Sequence, residues 1–444
     1  MSEIVQEFSD IPKGYNKVQL GPKSEVVPSE WRIESLSSWL SSLETGGRPK
    51  TSERSESDSV LSIGGAHISG GSFDLDEPVR ISEDYYDGLK SGKIEEDDIL
   101  LVKDGATIGK STYVNSVPEE RAAVNSHVYI IRVDDEKYDP RFLYNFVNSR
   151  IGLDQILRLT TGTAQAGLNR TFQQAVKVPT PPLREQRRIA DILSTVDDQI
   201  QQTDDIISKT RELKRGLIQD LIFFGKDHSG TQSVQLGPVT TEIAEAWNVA
   251  TVGEVTTKAQ YGTSESLSTE GKYPVFRMNN IEDGKMVSSP MKYSDLEEDQ
   301  AKKYRVEQGD ILFNRTNSID LVGKSGIFDL EGEYVFASYL ICLRTNEKMN
   351  PYFLNYYLNS HIGQGILFSI ATRGASQANI NATNLKNVKV PLPPREQQDQ
   401  IVDKIQKVEE KIEQEQKTKE KFQELKRGLM QDLLTGKVRV NIAD

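Results

Sequence analysis

ELKRGLIQDL at residues 212–221 and ELKRGLMQDL at residues 424–433 are one ten-residue phrase with a single change, Ile218 against Met430. Further matches keep the same spacing. PPLREQ (181–186) answers PPREQ (393–397). DILL (98–101) answers DILF (310–313), and GKS recurs at 109–111 and 323–325. Pro140 followed by RFLYNFVNS answers Pro351 followed by YFLNYYLNS. VQLGP stands at 18–22 and 234–238, with Trp31 and Trp247 nine residues after each proline. The offset stays between 211 and 216 throughout. So many ordered matches do not arise by chance, and the period is far too long for a solenoid unit. The chain is a duplicated pair of domains.

Each copy divides in two. Residues 1–183 and 227–394 mix short β-like runs with turns. KIEEDDILLVKDG and YRVEQGDILFNRTN read as turn, strand and polar loop, and PRFLYNFVNSR and PYFLNYYLNSH as short amphipathic helices. Residues 184–226 and 395–437 follow proline clusters and carry a helical pattern, leaving 438–444 as a tail. The first helix shows the stripe Ile189, Leu193, Val196, Ile200, Thr203, Ile207, Thr210, Leu213, Leu217, Leu221. The second shows Ile401, Ile405, Val408, Ile412, Glu415, Lys419, Phe422, Leu425, Leu429, Leu433. Steps of four and three alternate over the first turns, a heptad seam. The stripe is narrow, as a two-helix contact needs, so the two helices are expected to pack on each other. The fold class read from this pattern is α+β, two tandem α/β domains with two long helices forming a coiled coil.

Composition removes several functions. Net charge is −12 from 54 basic and 66 acidic residues. Residues 184–226 hold 8 of each sign and 395–437 hold 10 of each, so the acidic excess lies in the globular parts. One cysteine, Cys342, excludes an intramolecular disulfide framework, and its apolar run YLICLRT reads as core. The four histidines, His67, His127, His228 and His361, are scattered, and no metal is expected. No run reaches the roughly 18 apolar residues of a membrane span, and MSEIVQEFSD lacks the regions of a signal peptide. A cytoplasmic protein without membrane contact is expected.

Catalytic signatures are weak. GATIGKS (105–111) has three residues where a phosphate loop needs four, and β-branched residues follow it instead of a helix. It reads as a tight turn between strands that points a lysine outward. The acidic run EEDD (95–98) reads as solvated turn residues, since its counterpart EQGD keeps only two acids. MNPYF (349–353) lacks the second proline of an amino-methyltransferase loop. Polar loops at matching places in the two copies are more informative. GGRPK faces YGTSE, GGAHIS faces MNNIED, VKDGATIGK faces NRTNSIDLVGK, and TTGTAQAGLNR faces TRGASQANIN. Their side chains are the kinds that donate to phosphates and read base edges. The candidate DNA-contacting residues are Arg48, Lys50, His67, Lys103, Lys110, Gln165 and Arg170 in the first copy. In the second they are Thr263, Arg277, Asn279, Asn280, Arg315, Lys324, Arg373 and Gln377. The frame repeats while the loop chemistry differs, as two readers of different sequences would require.

The layout resembles the specificity subunit of type I restriction-modification systems. PPLREQRRIADILSTVDDQI and KFQELKRGLMQDLLTGKVRV carry the resemblance, which covers essentially the whole chain. It implies two target-recognition domains, each reading half of a bipartite double-stranded DNA site. It implies that the helices run antiparallel, set the spacer between half-sites and dock two methyltransferase subunits. Restriction/translocase subunits are a further candidate partner. It implies no catalytic residue and no cofactor on this chain, with S-adenosylmethionine, ATP and magnesium on partner subunits. A coiled-coil scaffold unconnected with DNA and a nucleotide-binding enzyme are the competing readings.

Overall fold

The computed structural model describes residues 11–50, 53, 59–161, 167–225, 230–318, 321–374 and 377–442. The chain forms two compact units, residues 1–204 with 418–444, and residues 205–417. The two long helices are Leu183–Phe224 and Arg395–Leu434, and each gives one half to each unit. The units therefore do not follow the linear boundaries at 184, 227 and 395.

In unit 1 a four-stranded sheet runs Ser111–Tyr113, Ile99–Val102, Val128–Val133, Leu40–Thr45. Its central strands are buried on both faces, with period-two alternation. Ile99, Leu101, Tyr129 and Ile131 enter one core with Trp39, Phe142 and Phe146. Leu100, Val102, Val128 and Ile130 enter a second core beside the parallel pair Val60–Ile63 and Ala122–Val124. Unit 2 repeats this design. Ile311, Phe313, Ile341 and Leu343 enter one core, and Leu312, Leu340 and Cys342 another. Cys342 is fully buried, and burial above all pushes its thiol up.

The repeated sequence phrases are joints between elements. Asp139 and Asn350 cap the helices Pro140–Asn148 and Pro351–Asn359, accepting from Phe142 N at 2.9 Å and Tyr352 N at 2.9 Å. Gln186 Oε1 accepts from Asp139 N at 2.9 Å, and Gln398 Oε1 from Asn350 N at 2.7 Å. Each glutamine also donates to a proline carbonyl five residues earlier, Pro181 and Pro393, at 2.8 Å. Trp31 Nε1 donates to Glu185 at 3.1 Å, and Trp247 Nε1 to Gln397 at 2.9 Å. Glu185 and Gln186, matched in the second copy by Gln397 and Gln398, thus tie the start of each long helix to its domain together with the distant tryptophan.

Within unit 1 the helix halves are antiparallel. Lys426 pairs with Asp197 at 2.6 Å and Lys419 with Asp204 at 2.6 Å, seven steps up one helix matching seven down the other. Unit 2 has the same arrangement, with Lys214 to Glu409 at 2.7 Å. Ile189, Leu193, Val196, Ile207, Ile401, Ile405 and Ile412 are buried; Ile200, Leu217, Val408, Phe422 and Leu429 are half-buried.

Leu213 and Leu425 correct the expected seam. They are 61% and 49% exposed. The four-three alternation continues unbroken through Lys214 and Lys426 instead, whose side chains are only 18% and 19% exposed. An acid on the facing helix satisfies each ammonium while the aliphatic stem packs in the seam. Among the described residues, no helix is long and apolar enough to cross a membrane.

Candidate nucleic-acid interface

Strand directions bring the variable loops to one end of each domain. In unit 1, Thr45 lies opposite Tyr129, and Val102 opposite Val128. Ile63 lies beside Val124 in the parallel pair. Loops 46–50, 64–67, 103–110 and 125–127 therefore leave or enter the sheets at the same end. The segment at 167–168 joins them through Leu168 N, which donates to Lys103 O at 2.7 Å, and the bridge Asp104–Gly167.

Unit 2 builds this end with the same backbone bonds. Lys103 N donates to His127 O at 3.0 Å, and Arg315 N to Tyr339 O at 3.1 Å. Leu168 N to Lys103 O has its counterpart in Ile380 N to Arg315 O at 2.9 Å. Asp104–Gly167 has its counterpart in Thr316–Asn379. Gly46 and Gly262 allow the first loop to pass a strand edge: a Cβ on Gly46 would stand 1.5 Å from Val124 O, and one on Gly262 2.2 Å from Phe336 O. At the other end of the same strands, away from the loops, Asp98 and Asp310 are 1% exposed and bind Arg132 and Arg344 at 2.8 and 2.7 Å. Each also accepts from a backbone N–H three residues earlier, Glu95 N and Glu307 N, at 2.8 Å. The solvated-turn reading is thus corrected for Asp98 and Asp310, which tie neighbouring strands by charge-assisted bonds.

The predicted DNA-contacting residues separate into three groups. His67, Asn280 and Thr263, expected among the DNA-contacting residues, are instead buried and hold their own loops. His67 Nδ1 accepts from Gly64 N at 3.0 Å, and Asn280 Oδ1 from Arg277 N at 3.0 Å. The Asn280 amide donates to Val287 O and Pro290 O, both at 3.1 Å. Thr263 Oγ1 accepts from Glu265 N at 3.1 Å. A short polar side chain inside a tight loop satisfies backbone groups that water cannot reach.

A second group is half-committed. Lys103 binds Asp104 at 2.7 Å, and Arg170 donates to Leu43 O. Arg277 donates to Pro290 O at 3.1 Å. Arg315 lies over the Tyr261 ring at 4.7 Å and donates to Asn379 Oδ1 at 3.3 Å. The third group is exposed: Arg48, Lys50, Lys110, Asn279, Lys324 and Gln377. Lys110 and Lys324 each follow a glycine in the left-handed region, Gly109 at φ +87° and Gly323 at φ +92°. The GKS motifs are strand-to-strand turns with an outward lysine. Gln165 and the side chain of Arg373 lie outside the described residues.

Sequence reading missed Asp104, His127, Tyr261 and Tyr339. His127 Nδ1 bonds the Asp104 carboxylate. Burial pushes the Asp104 carboxyl up, and hydrogen bonds from Lys103 and His127 outweigh this, holding it below the usual aspartate range. The signal available was the repeat: His127 and Tyr339 stand at the same offset as the two ELKRGL phrases, with different chemistry.

A duplicated domain with one backbone frame, two sets of loop side chains and a shared pair of long helices defines a two-headed recognition protein. The family description "Type I restriction modification DNA specificity domain" matches residues 28–209 and 244–424. The chain belongs to this family of specificity subunits and carries two target-recognition domains. Among its relatives is the putative type I restriction enzyme MjaX specificity subunit of Methanocaldococcus jannaschii, 24% identical over 452 residues, 96% of this chain and 97% of the relative. The MjaVIII specificity subunit of the same organism is 27% identical over 364 residues, 78% of this chain and 80% of the relative. The fold matches a chain solved in work on complex assembly and conformational transition of the type I R-M system, with TM-score 0.56, 18% identity and coverage of 93% and 99%. It also matches the type I restriction-modification S subunit from M. genitalium, with TM-score 0.53, 14% identity and coverage of 96% and 99%.

Proposed function

We propose that each target-recognition domain reads one half of a bipartite double-stranded DNA site through its loop end. The helices set the number of unread base pairs, and methyltransferase subunits docked on the helices supply the chemistry. S-adenosylmethionine, ATP and magnesium belong, in this reading, to those companions and to any restriction/translocase subunit, and the setting is the cytoplasm. The observation that carries the reading is the loop frame, repeated bond for bond with different side chains in the two units. The exposed cations at that end suit phosphate oxygens, whereas the globular parts as a whole are acidic. The isolated chain is therefore expected to bind DNA weakly, and binding tightens with its partners.

The spacer part of the reading is tested by removing one heptad from each helix, residues 200–206 with 417–423. A heptad keeps the seam on one face and shortens the helix pair by about 10 Å. That distance is about three base pairs at 3.4 Å each. Methylation mapping of the reconstituted assembly is expected to show both half-sites unchanged and the gap between them shortened. An unchanged gap refutes the spacer role; two altered half-sites refute independent reading.

Docking is supported by a feature present once in each unit. Leu213 and Leu425 are exposed, and three residues on stand Gly216 and Gly428, where an added Cβ would meet nothing within 4 Å. Residues three apart share a helix face. A glycine inside an exposed helix costs about 0.5–1 kcal/mol, and none of the described residues of its own unit requires it. Close approach of an external partner to the helix backbone accounts for it, and two equal patches call for two copies of one partner. Leu213→Asp with Leu425→Asp is expected to weaken methyltransferase binding about 10- to 100-fold, since burying one leucine contributes roughly 1.5–3 kcal/mol. Either change alone should leave one partner bound per chain. Mass measurement of the assembly checks this, and wild-type stoichiometry in the double variant would count against it.

A further inference from the structure

We propose that the turn entering a central sheet strand carries a specificity-determining side chain in each recognition domain: His127, oriented by Asp104, in unit 1, and Tyr339 in unit 2. This rests on the reading that the loop ends face DNA.

The two residues occupy one backbone position, each accepting through its carbonyl from the loop opposite, Lys103 N or Arg315 N. Their neighbours along the chain are core: Val128 and Leu340 are fully buried. The side chains themselves face outward, His127 43% and Tyr339 49% exposed. A base reader must be held rigidly and keep an unspent hydrogen-bonding edge. His127 meets both conditions. Its backbone N–H donates to Asn125 Oδ1 at 2.9 Å, its ring is tethered through Nδ1, and Nε2 has no partner among the described residues. The carboxylate makes Nδ1 the protonated nitrogen, so in the neutral ring Nε2 is an acceptor. An acceptor there matches the exocyclic amine that adenine or cytosine shows in the major groove. The Tyr339 hydroxyl is likewise unbonded among the described residues and can donate or accept. The contrast is with His67 and Asn280, which also differ between copies but are buried and spend their polar atoms inside their loops. Asp104 also binds Lys103, so it fixes the histidine and takes the charge of the neighbouring lysine out of play.

The test is methylation mapping with the full chain reconstituted with its methyltransferase, comparing wild type, His127→Ala, Tyr339→Ala and Asp104→Asn. His127→Ala is expected to relax one base pair of one half-site, raising methylation at sites mismatched there about 10- to 100-fold relative to matched sites. Tyr339→Ala should do the same at one base pair of the other half-site. Asp104→Asn, a positioning change, should loosen the same base pair as His127→Ala and no other. Unaltered base preference in the variants, or a uniform loss across all sites with no change of preference, overturns the proposal. A wild-type assembly that shows no bipartite preference would instead overturn the underlying reading of the loop ends, so the two failures are distinguishable.

Discussion

Replacing Arg439 by methionine is expected to destabilise unit 1 by about 2–4 kcal/mol. Glu185 is fully buried and is held by Arg439 through Nε at 2.7 Å and through a second nitrogen at 3.0 Å. Removing one partner of a fully buried ion pair costs roughly 3–5 kcal/mol, because the remaining charge is stranded away from water. The figure is set lower here because Arg439 is 38% exposed and Trp31 continues to donate to Glu185. Unit 2 shows what relieves the penalty: the residue matching Glu185 is the neutral Gln397, which accepts the same tryptophan bond. Glu185→Gln in the Arg439→Met background is therefore expected to recover most of the loss. Chemical denaturation of the full chain measures both variants. A wild-type midpoint for Arg439→Met, or no recovery in the double variant, would show that the C-terminal segment does not neutralise the buried acid.

Gly46→Ala should be comparably damaging, by steric contact instead of charge. The new methyl carbon would stand 1.5 Å from the carbonyl oxygen of Val124, and that oxygen belongs to a strand with buried neighbours. Backbone must move to admit it. Overpacking of this kind costs about 1–3 kcal/mol, and a contact this short with main chain falls at the upper end. The displaced segment carries Arg48 and Lys50, so recognition of one half-site should weaken with stability while the other half-site is kept. Gly262→Ala, 2.2 Å from Phe336 O, should mirror this in the other domain. A Gly46→Ala protein with wild-type stability and wild-type target preference would mean that the loop does not need its close approach to the strand.

Local pattern sufficed for much of the architecture. The repeat, the long helices, the outward lysine of GKS and the core position of Cys342 are written in neighbouring residues, and periodicity or apolar context reads them directly. The heptad seam was legible up to Thr210. There the chain offered both Leu213 and Lys214, and hydrophobicity alone selected leucine. The lysine faces inward because a facing acid, Glu409, completes it, and that acid is 195 residues away in the chain. The same limit separated His67 from His127. Both are histidines in polar loops of one domain; the first is enclosed by its own loop, while the second is turned outward by Asp104.

The amino-acid order by itself therefore determined the duplication, the α+β class and the family, since these depend on repetition and spacing along the chain. Which loop atoms are spent on holding the fold and which are left to meet a ligand was decided only in three dimensions. Burial and hydrogen-bond satisfaction depend on segments that sequence separates and folding brings together.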